Sequence, residues 1–216
     1  MIRIVKNQRV PNLFGQIKNK RADYDELFSE EKDAIKKILL EEQGYKCAYC
    51  MSKIKMDNST IEHYIPRNGE NGDISLSLEY RNLFAVCDNT RGFSETEQTC
   101  DVKKGDRLLH IDPRLQEHID TIFYDRSGYI KSSFDSGENN FDDDLNRILN
   151  LNSRQLVNNR VNALKTLMQR MSAKKDKTWT PEFICKYIEK FSSADDRTAY
   201  SGFLVYMLKR RSGIKD

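Results

Sequence analysis

Four of the five cysteines in this 216-residue chain lie between positions 47 and 100, and this clustering constrains the fold more than any other feature. Cys47 and Cys50 form a Cys-x2-Cys knuckle, whereas twelve residues separate Cys87 from Cys100. Four thiolates are a usual tetrahedral ligand set for structural zinc. In a reducing compartment, clustered cysteines indicate a metal site more than disulfides. We therefore predict that these four residues bind structural Zn²⁺. Ordinary burial is the alternative, and it is our interpretation of Cys185, which lies on an apolar helical stripe.

The composition places few further limits on function. A net charge of +3, from 36 basic and 33 acidic residues, does not by itself indicate a nucleic-acid-binding protein. No apolar run approaches the roughly 18 residues of a membrane span, so we expect no membrane partner. The first residues lack the apolar core of a secretory signal. We therefore expect a cytoplasmic protein.

The hydrophobic pattern changes along the chain and predicts an α+β fold. A helix is predicted over residues 29–43, and it delivers the chain into the cysteine knuckle. Short strands are predicted near residues 61–65 and 83–86, and a hairpin between residues 119 and 131. From residue 142 onward the pattern is helical. We predict an N-terminal segment and helix (1–45), a mixed core (46–140) and a helical C-terminal region (141–216).

Glu62 and His63 form a carboxylate–imidazole pair inside the cysteine region. Hydrolysis of a phosphodiester needs a general base and a divalent cation, and histidine suits the first role near neutral pH. Adjacent residues of a regular strand point to opposite faces, so both side chains can face one site only where the strand bends or ends, before Pro66. The pair alone is weak evidence, because a single histidine in such a strand is usually structural.

The order of these motifs is more specific than any one of them. Cys-x2-Cys is followed by Glu-His-x-Ile-Pro-Arg, Asn-Leu, a cysteine and Cys-Asp-x-Lys-Lys-Gly. This order resembles the HNH endonuclease family in its zinc-stapled form. The resemblance implies a ββα-metal core, with His63 as general base and Asn82 as an orienting residue. It also implies Glu62 and Asp101 as ligands of a catalytic Mg²⁺ or Mn²⁺.

The basic residues of the motifs receive their roles from the same resemblance. Arg67, Lys103 and Lys104 are expected to contact the phosphates of a nucleic-acid substrate. Two departures from the family pattern stand out: the second cysteine pair is split by twelve residues instead of two, and the third motif position is Asp101 instead of histidine or asparagine. An aspartate is a good ligand for Mg²⁺.

Residues 20–135 resemble, more narrowly, the HNH nuclease of Septu-type and retron-associated antiphage systems. That resemblance implies an ABC-type ATPase as partner, with the C-terminal helices available for docking. The sequence does not distinguish a DNA substrate from an RNA substrate. The alternative is a non-catalytic zinc module that binds nucleic acid or a protein partner, which would leave the Glu62–His63 pair without a role.

Overall fold

The computed structural model describes residues 1–7, 9–137, 139–173, 179–193 and 196–213. Within them the protein is an α+β structure with small antiparallel sheets. The helices are α1 (Asn12–Lys18), α2 (Ser29–Glu42), α3 (Cys100–Lys104), α4 (Gln116–Asp120), α5 (Phe141–Asp143), α6 (Arg154–Ser172), α7 (Pro181–Ser192) and α8 (Ser201–Ser212). The strands are β1 (Ser59–His63), β2 (Leu83–Cys87), β3 (Ile122–Tyr124), β4 (Ile130–Ser132), β5 (Asp135–Ser136) and β6 (Asn139–Asn140). A π-helical turn, Asp144–Ile148, follows α5.

Helix α2 leads directly into the first cysteine pair. Glu30 and Glu31 lie in its first turn, where the helix dipole favours carboxylates. After the helix, Gly44 takes a positive φ of 59°. A Cβ at this position would lie 2.5 Å from the Asp196 backbone oxygen, so only glycine fits the turn without displacement. The turn therefore brings the knuckle against the chain that precedes α8.

Strands β1 and β2 form the hairpin at the centre of the cysteine region. Their antiparallel register pairs Ser59 with Cys87 and His63 with Leu83. Every residue of β2 is buried, which explains its unbroken apolar run. Short helix α3 packs on β2 and ends at Lys104; Gly105 follows as its C-cap, with a φ of 55°. The chain order is thus strand, strand, helix around the four cysteines.

The twelve residues between Cys87 and Cys100 form a loop that doubles back, which lets both cysteines join the cluster. The backbone N–H of Thr99 donates to the Thr90 hydroxyl at 3.0 Å, which closes the base of the loop. Asn150, after the π-helical turn, donates through its side-chain amide to the carbonyl oxygens of Thr96 (3.0 Å) and Gln98 (2.8 Å). Asn150, from the C-terminal half of the chain, therefore fixes the second half of this loop.

The predicted C-terminal helices pack against the cysteine region, and one apolar core includes side chains from both. The Tyr200 N–H donates to the Met51 carbonyl oxygen at 2.9 Å. Buried Lys46 donates to both the backbone and the carboxylate of Asp196. Arg160 of α6 is fully buried and donates to the carbonyl oxygens of Gly128 and Leu151. Among the described residues, no helix has both the length and the apolar character needed to cross a membrane.

Candidate functional site

The four clustered cysteines meet at one point in the fold. The sulfur atoms of Cys47 and Cys100 are 3.8 Å apart, those of Cys50 and Cys87 are 3.7 Å apart, and all four lie within 4.8 Å of one another. A tetrahedron with zinc–sulfur bonds of about 2.3 Å has edges of about 3.8 Å. The donor set and its spacing therefore fit the Zn²⁺ that the sequence predicts, and the described cysteines form no disulfide.

The fourth ligand is placed by an unusual backbone conformation. Cys100 has a φ of 55°, a left-handed conformation that costs a non-glycine residue of order 1–3 kcal/mol. Its N–H donates to the Leu149 carbonyl oxygen at 2.9 Å, so the π-helical turn holds it there. This contact has no signature in the sequence, because it joins residues that are far apart in the chain.

A cleft of about 220 Å³ lies beside the cysteine cluster. It is lined by the end of β1, the loop after it and the start of α3: Ile61, Glu62, His63, Pro66, Arg67, Asn68, Asp101, Gly105 and Asp106. Both members of the Glu62–His63 pair line the cleft, although adjacent strand residues ordinarily face opposite ways. Strand β1 ends at His63, before Pro66. The end of the strand is where we expect the alternation of side chains to break down, so that both can face one site.

The carboxylate of Glu62 is buried and closely held. Its Oε1 accepts hydrogen bonds from the Tyr49 hydroxyl at 3.0 Å and from the Lys104 ammonium at 2.8 Å. Burial, and then the neighbouring Asp101 carboxyl, raises the pKa of Glu62 well above its usual range, while the charge of Lys104 opposes this. Two carboxyl groups close together in a cleft are a fitting donor pair for a hard divalent cation.

The imidazole of His63 is 8% exposed and has a defined tautomer. Its Nε2 lies 2.9 Å from the Ser77 carbonyl oxygen, which can only accept a hydrogen bond, so Nε2 carries the proton and Nδ1 keeps its lone pair. The Tyr24 ring packs edge-on against it at a centroid distance of 4.9 Å. Burial lowers the pKa of His63 to about 4. The ring is therefore a neutral base at physiological pH.

Asn82 holds two backbone segments next to His63 through its side-chain amide. Its Oδ1 accepts from the Ile65 N–H at 2.8 Å, and its Nδ2 donates to the carbonyl oxygens of Ile65 (3.0 Å) and Leu76 (3.2 Å). The Asn82 backbone carbonyl also accepts from the Tyr64 N–H. One asparagine thus joins the residues after His63 to the turn that carries Ser77.

The three predicted phosphate-contacting residues have different environments. Arg67 lines the cleft and donates to Asp25 at 2.5 Å. Lys103 extends along the loop of residues 88–99, called the inserted loop below. There it donates to the backbone carbonyl oxygen of Glu95 at 3.0 Å. Lys104 is only 1% exposed, with its ammonium on Glu62 and on the His63 carbonyl oxygen. This burial makes Lys104 an internal charge partner of Glu62, and the phosphate contact that the sequence predicts for it stays a prediction.

Several residues that contact the site were not predicted from the sequence. Tyr49 lies inside the cysteine knuckle, Tyr24 precedes α2, and Ser77 contributes only its carbonyl oxygen. Arg91, on the inserted loop, places its guanidinium 3.9 Å from Asp101. Only Tyr49 carried a signal, namely its position between two predicted zinc ligands.

Comparison with known proteins gives one informative similarity. The chain is 26% identical over 121 residues to a protein of Vibrio cholerae serotype O1 biovar El Tor named "Retron Vc95 putative HNH endonuclease". The matched region is 54% of this chain and spans 58% of the relative's length. No family model matches the chain. The resemblance to a retron-associated HNH endonuclease, indicated by the motif order, is confirmed by this relative.

Proposed function

We propose that this protein is a divalent-metal-dependent endonuclease of the HNH type, which hydrolyses phosphodiester bonds in nucleic acid. The observation that carries the proposal is the cleft in which a neutral imidazole, His63, lies beside two carboxyl groups, Glu62 and Asp101. The sequence of β1, β2 and α3 around the four cysteines supports a ββα-metal core. The motif order and the retron-associated relative support the same assignment.

In this proposal His63 is the general base. Its Nε2–H is held by the Ser77 carbonyl oxygen, so Nδ1 accepts the proton of the attacking water. The water oxygen forms the new bond to phosphorus, and the bond from phosphorus to the leaving oxygen breaks. Tyr24 and Asn82 fix the ring and the turn that it contacts, so little reorganisation precedes proton transfer.

Glu62 and Asp101 are the residues that would hold a catalytic Mg²⁺ or Mn²⁺. A divalent cation stabilises the charge that develops on the phosphate and on the leaving oxygen. Lys104 keeps Glu62 oriented from the buried side, and the carboxyl of Asp101 faces the cleft from α3. Arg67, at the rim of the same cleft, is proposed to contact the substrate backbone together with Lys103.

The biological setting is proposed from similarity alone. The relative is named as part of a retron, and the motif set resembles nucleases of Septu-type antiphage systems. We propose that the chain is the effector nuclease of such a defence complex, acts in the cytoplasm and works with an ATPase partner. In this arrangement residues 46–140 are the catalytic part, residues 1–45 support it, and the helices of residues 141–216 dock the partner.

The test is cleavage of mixed single- and double-stranded DNA and RNA by the purified protein with Mg²⁺ or Mn²⁺, alone and with the proposed ATPase partner. His63→Ala should abolish cleavage. His110→Ala is the matched control, because this histidine pairs with Asp144 outside the cleft and should leave cleavage unchanged. Equal cleavage by His63→Ala and wild type would refute the mechanism. Binding of nucleic acid that is indifferent to Mg²⁺, without cleavage, would identify a non-catalytic zinc module instead.

A further inference from the structure

The middle of the cysteine knuckle reaches the catalytic carboxylate directly. Tyr49 lies between Cys47 and Cys50 and is fully buried. Its hydroxyl donates to Glu62 Oε1 at 3.0 Å. A buried tyrosine hydroxyl needs a partner, and the partner here is the side chain proposed to hold the catalytic cation. The contact therefore joins the zinc-binding turn to the cleft through a single hydrogen bond.

The second donor to the same oxygen also comes from an element that carries a zinc ligand. Lys104 donates to Glu62 Oε1 at 2.8 Å, and it lies four residues after Cys100 on α3. Residues four apart share one face of a helix, so the lysine points inward with the cysteine. Asp101, the other proposed cation ligand, directly follows Cys100. Both cation-binding carboxyl groups are thus positioned by segments that the cysteine cluster holds.

We infer that Tyr49 is a positioning residue for the catalytic cation, through which the structural zinc knuckle orients Glu62. The inference rests on the proposed function and extends it to a residue outside the cleft. Glutamate has three side-chain torsions, and two buried donors on one oxygen restrict them to a single arrangement. Partners of this kind behind a metal ligand typically affect metal affinity or activity by about 10- to 100-fold.

The experiment compares Tyr49→Phe with a matched variant, Tyr80→Phe. Tyr80 is also buried and donates through its hydroxyl to a carboxylate, Glu42, at 2.8 Å, but Glu42 does not line the nuclease cleft. Each variant deletes one hydroxyl oxygen and its hydrogen bond to a carboxylate; Tyr80→Phe also removes the bond that the Tyr80 hydroxyl accepts from the Asn7 N–H at 3.0 Å, so the control loses at least as much. Three quantities are measured on the same zinc-loaded samples: zinc per chain, Mn²⁺ affinity by paramagnetic resonance, and kcat and KM for nucleic-acid cleavage.

Tyr49→Phe should retain its zinc, bind Mn²⁺ about 10- to 100-fold more weakly and lose kcat by a similar factor, with KM for nucleic acid unchanged. Tyr80→Phe should bind Mn²⁺ like the wild type. Loss of zinc from Tyr49→Phe, wild-type Mn²⁺ affinity in that variant, or equal losses in both variants would overturn the inference. So would a wild-type protein that does not bind Mn²⁺. A wild-type protein that binds Mn²⁺ but cleaves nothing would refute the proposed function, while weaker Mn²⁺ binding by Tyr49→Phe would still support the positioning role.

Discussion

Replacement of Lys104 by methionine distinguishes two roles for this residue: an internal charge partner of Glu62 and a contact to substrate phosphate. The ammonium is 2.8 Å from Glu62 Oε1, and the two side chains are only 1% and 5% exposed. Removal of one member of a buried ion pair leaves the other charge unpaired and costs about 3–5 kcal/mol. For a protein of this size each kcal/mol lowers the unfolding temperature by about 2–4 °C, so Lys104→Met should unfold about 6–20 °C below wild type.

The neighbouring lysine provides the control. Lys103 pairs with Glu95, whose side chain is 87% exposed, and such surface pairs contribute about 0–1 kcal/mol. Calorimetry of wild type, Lys103→Met, Lys104→Met and a Lys104→Met/Glu62→Gln double variant measures the difference, and the double variant should recover part of the lost stability. If Lys104→Met is as stable as Lys103→Met, the buried pair is unimportant. If Lys104 instead contacts phosphate, the Lys104→Met variant should bind nucleic acid more weakly, and the salt dependence of its binding should fall by about one charge.

Three further results are expected. Tyr24→Leu should lower kcat about tenfold with KM unchanged, because the edge-on ring restrains His63, whereas Tyr24→Phe should behave like wild type; equal loss in both variants would contradict a packing role. Elemental analysis should find about one zinc per chain, and its removal by a chelator should lower the unfolding temperature by at least about 10 °C; a metal-free protein of unchanged stability would refute the four-thiolate site. Asn150→Ala should remove the two hydrogen bonds that hold Thr96 and Gln98 of the inserted loop, and it should reduce the rate of cleavage more than it lowers stability, as followed by kinetics and calorimetry; unchanged kinetics would show that this anchor does not influence the cleft.

The features that the sequence predicted well are those that depend on local chemistry. The helical pattern predicted from residue 142 onward is observed as α6 and α7, where Ser153 accepts from the Leu156 N–H and Thr180 precedes Pro181, both favourable for the start of a helix. Helix α2 occupies residues 29–42, close to the predicted 29–43. The meeting of the four cysteines at one point was predictable because thiolates in clustered pairs have few uses other than metal binding in a reducing compartment.

The features that the sequence did not reveal have a different physical origin. The phosphate contact expected of Lys104 comes from the resemblance to the HNH family and does not consider which face of the helix the residue occupies. Its spacing of four from Cys100 places Lys104 on the inward face of α3. Ser77 and Tyr24 could not be predicted, since a carbonyl oxygen has no sequence signature and the ring contact exists only in the folded chain. The left-handed conformation of Cys100 is likewise set by a distant residue, Leu149.

The most direct test of the central claim follows the oxygen atom of the attacking water. Wild type and His63→Ala, matched for zinc content, are allowed to cleave nucleic acid in ¹⁸O-labelled water with Mg²⁺, and the product ends are analysed by mass spectrometry. The account predicts one ¹⁸O atom in each terminal phosphate that wild type newly forms, an unlabelled hydroxyl on the other end of each cut, and no product above background for His63→Ala. Unlabelled phosphate ends, or labelled products formed equally well without His63, would contradict it.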